Sequence, residues 1–228
     1  MTSGQATRDA FDMLTAYRQG IFPMAEARDS KEYDWFTCER RGVIPLDGFY
    51  CPKSLRKTIR KGEYRIGLNS QFSNLLDHCA AREDGTWISL RLQNAYDILR
   101  EMGHGLSVEV FYGDDLVGGL FGVSLGGAFF GESMVSLKPE ASKIALVHLV
   151  LGMRAAGYHL LDTQTTTDHL IRFGQIGVHQ DDYKKRLADA LFIKPDELIS
   201  AITETLVEPD LESISDKSVR YSLPENTA

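Results

Sequence analysis

Between residues 105 and 165 the apolar pattern switches from a period of two to a helical period and back, and this limits the folds open to the chain. Leu106–Phe111, Leu116–Leu125 and Ala128–Val135 read as successive antiparallel strands, with Gly113-Asp114-Asp115 as a hairpin turn. A long helix is predicted from Pro139 to Ala156, closed by Gly157, and then a strand over His159–Gln164. Upstream, Phe11, Leu14 and Tyr17 mark a short amphipathic helix ended by Gly20, and Ile21-Phe22-Pro23 forces extended chain. Pro52 and Gly62 bracket a second helix. Phe72, Leu75, Leu76 and Cys79 give a third, with Ser70 as its expected N-cap. Leu92, Ala95, Tyr96 and Leu99 give a fourth, stopped by Gly103. Shorter helices are predicted near Asp168–Phe173, Asp181–Leu191 and Pro195–Val207, ahead of a polar tail. Helices, a strand meander, a long helix and a further strand make an α+β layered domain.

Two segments carry polar groups through apolar surroundings. Gly131-Glu132-Ser133-Met134 follows Leu125–Phe130, and Asp162-Thr163-Gln164 follows Tyr158–Leu161. On a strand, alternate side chains share a face, which would set Asp162 and Gln164 pointing the same way about 7 Å apart. An unpaired polar group at the end of a buried strand costs on the order of 1–3 kcal/mol, so both need partners. Spacing alone leaves two readings: a satisfied network that fixes the core, or a site.

Charge distribution adds a second candidate surface. The net charge is −7, but from Phe192 onward eight acids face three bases, so that stretch holds −5 of it. Lys53, Arg56, Lys57, Arg60 and Lys61 recur at helical spacing with no acid among them, a face suited to phosphates. Lys184-Lys185-Arg186 is a weaker patch, offset by Asp181 and Asp182. Three cysteines without CxxC spacing suggest neither a disulfide framework nor a zinc site. None of the six histidines pairs with Cys or Glu at ligand spacing, and metal and nucleophilic-triad readings are set aside. The glycines at 118, 119, 122, 126 and 127 lack a Gly-Lys-Ser/Thr ending and read as hairpin and close-packing positions. No run approaches the roughly 20 apolar residues of a membrane span, and Met1–Gln5 lacks a signal peptide's apolar core, so a cytoplasmic protein is expected.

A collinear series of short motifs then links the chain to a known family. It runs from Ala16-Tyr17-Arg18-Gln19-Gly20-Ile21-Phe22-Pro23 through Trp35, Glu39-Arg40-Arg41-Gly42 and Lys53-Ser54-Leu55-Arg56-Lys57. It continues through Thr86-Trp87-Ile88, Ala95-Tyr96, Gly103-His104 and Ser107–Val110, and then Gly131-Glu132-Ser133-Met134 and Ala141-Ser142-Lys143. Asp162-Thr163-Gln164 and Asp168-His169-Leu170 close it. In this series the chain resembles the leucyl/phenylalanyl-tRNA–protein transferases, which attach an amino acid to the N-terminus of a protein.

The resemblance implies an acetyltransferase-like (GNAT-related) mixed sheet flanked by helices. It divides the chain into a small N-terminal segment (1–38), a catalytic domain (39–208) and a polar C-terminal tail (209–228). It implies transfer of leucine, phenylalanine or less often methionine from charged tRNA to an acceptor protein beginning with Lys or Arg, marking it for degradation. Asp162 and Gln164 would assist the attacking amine, with Asp162 holding the Gln164 carbonyl oxygen toward it, and Glu132 would lie beside the ester or the amine. Trp87, Phe129, Met134 and Leu149 would wall the donor side-chain pocket, with Met24 near the terminal adenine and Ser142 a further substrate contact. The basic helix, Lys53 to Lys61, would meet tRNA. No metal or cofactor is implied, the membrane has no part, and a monomer is expected. The chain departs from the family pattern at Leu106, Phe111, Val135 and Leu137, the last replacing an arginine. A non-catalytic paralogue binding charged tRNA or basic N-termini is the main alternative. An acyl-CoA transferase is the lesser one, because Lys138-Pro139-Glu140 opens the long helix in place of a pyrophosphate loop.

Overall fold

In a computed structural model that describes residues 3–216, the chain opens with α1 (Ser3–Tyr17), which buries Ala10, Met13, Leu14 and Tyr17. Gly20, left-handed at φ 74°, turns the chain into β1 (Phe22–Met24), which pairs antiparallel with β2 (Asp34–Phe36) as a separate ribbon. Then come β3 (Arg40–Ile44), α2 (Lys53–Arg60, entered through Pro52), β4 (Tyr64–Leu68), α3 (Phe72–Ala80) and α4 (Leu90–Glu101). The meander is β5 (Gly105–Tyr112), β6 (Asp115–Leu125) and β7 (Ala128–Ser136). After it lie α5 (Ala141–Ala155), β8 (Leu160–Asp162), α6 (Asp168–Ile171), β9 (Ile176–His179), α7 (Gln180–Phe192) and α8 (Leu198–Val207).

Seven strands form one mixed sheet in the order β4-β5-β6-β7-β8-β3-β9. Every pair is antiparallel except β7–β8. Packed on one face are α2, α5 and α8, through Leu55, Leu146, Leu149, Val150, Leu198 and Ile202. On the other face α1, α3, α4 and α7 bury Tyr17, Leu75, Tyr96, Leu99, Tyr183 and Leu187. The N-terminal segment therefore shares a core with the helices that follow it. The result is an α+β architecture of a mixed sheet between two helical layers.

Pairing between β7 and β8 stops at Phe130 and Asp162, while β7 runs on to Ser136 against β6 alone. Beyond that point the two strands part, and the opening exposes Glu132–Met134 along one edge. A second irregularity sits at the same place. Phe121 pairs with Ser133 and Gly122 with Gly131, which leaves Glu132 as the extra residue of a β-bulge. Such a bulge kinks a strand and redirects one side chain. Gly122 is required opposite it, because a Cβ there would lie 2.1 Å from the Phe130 carbonyl oxygen.

Local capping differs from expectation at α3. Ser70 does not cap it with its hydroxyl. The buried Glu109 carboxylate from β5 instead accepts the backbone N–H groups of Ser70 (3.0 Å) and Gln71 (2.9 Å) and a hydrogen bond from Ser107 Oγ (2.6 Å). At α4 Ser89 does cap, accepting from the Leu92 N–H. The expected polar tail also differs where it is described. Residues 209–216 lie against the core, with Leu211 and Ile214 buried and the Ile214 carbonyl accepting from the Cys51 N–H at 2.8 Å. The remainder of that expected tail, 217–228, lies outside the described residues.

Candidate active site

A cavity of about 580 Å³ occupies the opening between β7 and β8. Its apolar wall comes from Leu120, Phe121, Met134, Leu146, Leu149 and Leu161, and Trp87 and the β1–β2 ribbon (Phe22, Pro23, Met24, Phe36) close the other side. The polar end is Glu132, Ser133, Gln164 and the threonines 163, 165 and 167. Of the expected pocket residues, Trp87, Met134, Leu149 and Met24 line it. Phe129 does not; it is fully buried in the cluster that contains Leu149 and lies behind the lining. Ser142 does not either, since it opens α5 and is tied to Ser136, whose Oγ donates to Ser142 Oγ at 2.8 Å and accepts from its N–H at 2.9 Å.

Asp162 is completely buried, and its acceptor capacity is spent inside the protein. Arg41 of β3 binds it in a fork, Nε to Oδ1 at 2.9 Å and Nη2 to Oδ2 at 2.8 Å. Tyr183 of α7 donates its hydroxyl to Oδ2 at 2.6 Å, and the Gln164 N–H donates to Oδ1 at 2.8 Å. The third Arg41 direction, Nη1, reaches the Gly20 carbonyl at 3.0 Å, and the guanidinium lies over the rings of Phe22 (4.6 Å) and Tyr183 (4.8 Å). Burial acts to deprotonate Arg41, but the charge and hydrogen bonds of Asp162 outweigh it and hold its pKa above the ordinary value. Arg41 stood in the sequence only as part of a motif. Its one signal was a cation beside the apolar Val43-Ile44.

Gln164 does not continue the strand. β8 ends at Asp162, and Gln164 is left-handed at φ 56°, so the expected strand alternation fails there. Asp162 holds the backbone of Gln164, not its amide as expected. The amide is oriented by Glu132, whose Oε1 accepts from Gln164 Nε2 at 3.3 Å. This leaves Gln164 Oε1 without a hydrogen-bond partner among the described residues, an acceptor at the polar end of the cavity.

Glu132 also accepts from Tyr96 at 2.8 Å, and Tyr96 lies 3.2 Å from the Tyr17 hydroxyl. Because the Tyr96 proton points at the carboxylate, Tyr17 is the donor of that second bond. Burial pushes the Glu132 pKa up to about 7; the hydrogen bond from Tyr96 and the nearby Tyr17 hydroxyl pull it down, and the nearby Asp162 charge adds to the rise. A carboxylate of that strength takes and returns a proton near neutral pH. His169 lines the cavity as well, its pKa lowered by burial and then by the charges of Lys143 and Arg172.

The basic helix is α2, and Lys53, Lys57, Arg60 and Lys61 are exposed on it. Its charge is not unopposed, as the sequence suggested. The docked C-terminal segment brings Glu212 onto it, paired with Arg56 at 3.1 Å and with Arg60. Lys53, Lys57 and Lys61 have no acidic partner among the described residues.

An apolar chamber that ends at a carboxylate and an amide has the make-up expected of the acyl-transferring class, an apolar seat for a side chain beside groups that can serve a nucleophile. Comparison with known proteins narrows that class. A family model described as leucyl/phenylalanyl-tRNA protein transferase matches residues 43–188, and a model of that family's N-terminal domain matches residues 10–39. Curated relatives with that name are 46% identical over 213 residues in Maricaulis maris (92% of this chain, 98% of the relative) and 48% identical over 189 residues in Caulobacter vibrioides (80% and 87%). The chain belongs to the leucyl/phenylalanyl-tRNA–protein transferase family and is an aminoacyltransferase. A solved structure, that of L-PGS from Bacillus licheniformis, covers 71% of this chain and 55% of its own at 15% identity and a TM-score of 0.38.

Proposed function

We propose that the cavity between β7 and β8 holds the aminoacyl end of a charged tRNA, with leucine or phenylalanine (less often methionine) in the apolar chamber, and that Glu132 and Gln164 serve the attacking amine. The observation that carries this reading is the pairing of the Glu132 carboxylate with the Gln164 amide at 3.3 Å at the end of an apolar pocket, the amide's carbonyl oxygen having no partner among the described residues. A protein α-amine has a pKa of about 7.7–8.0, so a fraction of it is neutral at physiological pH. The neutral amine donates a hydrogen bond to Gln164 Oε1 and attacks the ester carbonyl. A C–N bond forms and the bond to the ribose oxygen breaks. The proton lost by nitrogen passes to Glu132 and from there to the departing hydroxyl. The reaction runs downhill from an activated ester, and what the enzyme contributes is placement and proton transfer. Arg41, Tyr183 and the Gln164 N–H occupy the Asp162 carboxylate, and its work is to fix Gln164.

Acceptors beginning with Lys or Arg, a role in marking them for degradation, a cytoplasmic site of action and a monomeric enzyme complete the proposal. Both sheet faces are covered by the chain's own helices, and no helix among the described residues is long and apolar enough to cross a membrane. We also read the fold as acetyltransferase-like, on its mixed sheet that opens at a parallel strand pair. The test is transfer of labelled leucine from charged tRNA to proteins that differ only in residue 1. Transfer confined to N-terminal Lys and Arg supports the proposal, and equal transfer whatever residue 1 is would overturn the acceptor assignment.

The lysine column of α2 is proposed as the tRNA phosphate contact. Replacing Lys53, Lys57 and Lys61 together by alanine is expected to weaken tRNA binding and to flatten the slope of log K against log salt by roughly 2–3. Arg56→Ala should change that slope less than any single lysine, because Glu212 already neutralises its guanidinium. Filter binding across a salt series measures both.

A further inference from the structure

The segment 163–167 supplies four residues to the cavity, Thr163, Gln164, Thr165 and Thr167. A non-glycine residue held left-handed, as Gln164 is, stores on the order of 1–3 kcal/mol and persists only where its surroundings over-determine it. One restraint is the Asp162 carboxylate on the Gln164 N–H. A second is strand β3, where the Gly42 N–H donates to the Gln164 carbonyl at 2.8 Å and the Thr163 N–H donates to the Gly42 carbonyl at 2.9 Å.

The third comes from outside the cavity. Gln175, between α6 and β9, is 4% exposed and is not part of the lining. Its Nε2 donates to Thr163 Oγ1 at 2.7 Å and to the Thr165 carbonyl at 2.9 Å, and its Oε1 accepts from the Thr167 N–H at 2.8 Å. One buried amide thus grips alternate residues on both sides of Gln164, with both donors and an acceptor lone pair in use. The fit is tight on the other side too, since a Cβ at Gly42 would meet the Thr165 carbonyl oxygen at 2.6 Å and Gln175 Nε2 at 2.9 Å.

We propose that Gln175 is a positioning residue for aminoacyl transfer: its side-chain amide clamps residues 163–167 so that the Gln164 carbonyl oxygen meets the attacking amine. The inference rests on the role given to Gln164 above. A buried glutamine that only satisfied the fold would show its effect in stability, equally whether or not residue 164 can act. A clamp acts through Gln164 and loses its catalytic effect once that side chain is gone.

The experiment is a double-mutant cycle in single-turnover transfer of labelled leucine, with Gln175→Met, Gln164→Ala and the double variant. Gln175→Met keeps side-chain length and removes all three hydrogen bonds. The expected result is a rate lower by about tenfold or more, with the KM for charged tRNA within about twofold of the parent. In the Gln164→Ala background the same substitution should change the rate by less than about twofold. Gln175→Glu retains the acceptor for the Thr167 N–H, should fall between parent and Gln175→Met, and supplies the same cycle if the methionine variant does not fold. Equal loss in both backgrounds, or loss confined to KM, would overturn the proposal. A parental rate for Gln164→Ala alone would remove the reading of the site beneath it, an outcome told apart by that single variant.

Discussion

Arg41→Met is expected to destabilise the protein by about 3–5 kcal/mol, the usual consequence of stripping one partner from a buried ion pair. Asp162 is fully buried and Arg41 is 1% exposed, so no solvent replaces the lost guanidinium. The remaining donors to Asp162, Tyr183 and the Gln164 N–H, are neutral and cannot balance its charge. The Gly20 carbonyl, in the turn from α1 into β1, loses its Arg41 donor as well. Chemical denaturation measures the effect. A loss below about 1 kcal/mol would mean that the pair contributes little beyond a surface ion pair. Arg41→Met/Asp162→Leu, which removes both charges, should recover much of the loss without restoring transfer, because the carboxylate that holds the Gln164 N–H is then gone.

Glu132→Gln carries the second large effect, with opposite signs on stability and rate. The pKa of Glu132 is about 7 in the folded protein against an ordinary value of 4.5. Between those values the folded state binds a proton that the unfolded state has released, so stability falls as pH rises from about 4.5 to 7. Above about 7 the ionised, partly buried carboxylate weakens the fold by up to about 3 kcal/mol; below about 4.5 the penalty is absent. The glutamine variant should therefore be more stable than the parent at pH 8, with the difference vanishing toward pH 4.5. The rate moves the other way. Transfer should fall by roughly 100-fold or more, the usual scale for removing a general base. The acid limb of log kcat/KM should also change. In the parent it needs both Glu132 and the acceptor amine deprotonated and approaches a slope of about 2; the variant keeps only the amine and a slope of about 1. An unchanged slope would assign Glu132 to binding.

The meander and α5 were legible because each of their elements runs eight residues or more. β3, β4 and β9 were not: at four or five residues they offer too few repeats to fix a period. That gap hid the site's frame, since Arg41 lies on β3 and meets Asp162 across 121 residues of chain. Glu132, Asp162 and Gln164 were all named from sequence, but not how they are arranged. A bulge adds a residue without any local mark, so the direction of Glu132 could not be read from alternation. Nothing in a glutamine favours a left-handed backbone; Asp162, Gly42 and Gln175 impose it from three elements. The same holds at the surface. Composition separated a basic helix from an acidic tail, and only the buried Leu211 and Ile214 show that Glu212 is carried back onto Arg56 and Arg60.

The most direct measurement is the single-turnover rate of leucine transfer from charged tRNA to a protein with N-terminal arginine, parent against Gln164→Ala, with tRNA affinity determined in parallel. A fall of at least about tenfold, equivalent to about 1.4 kcal/mol, at unchanged tRNA affinity places the chemistry at the opening between β7 and β8. A parental rate for Gln164→Ala, or a loss wholly explained by weaker tRNA binding, would contradict it.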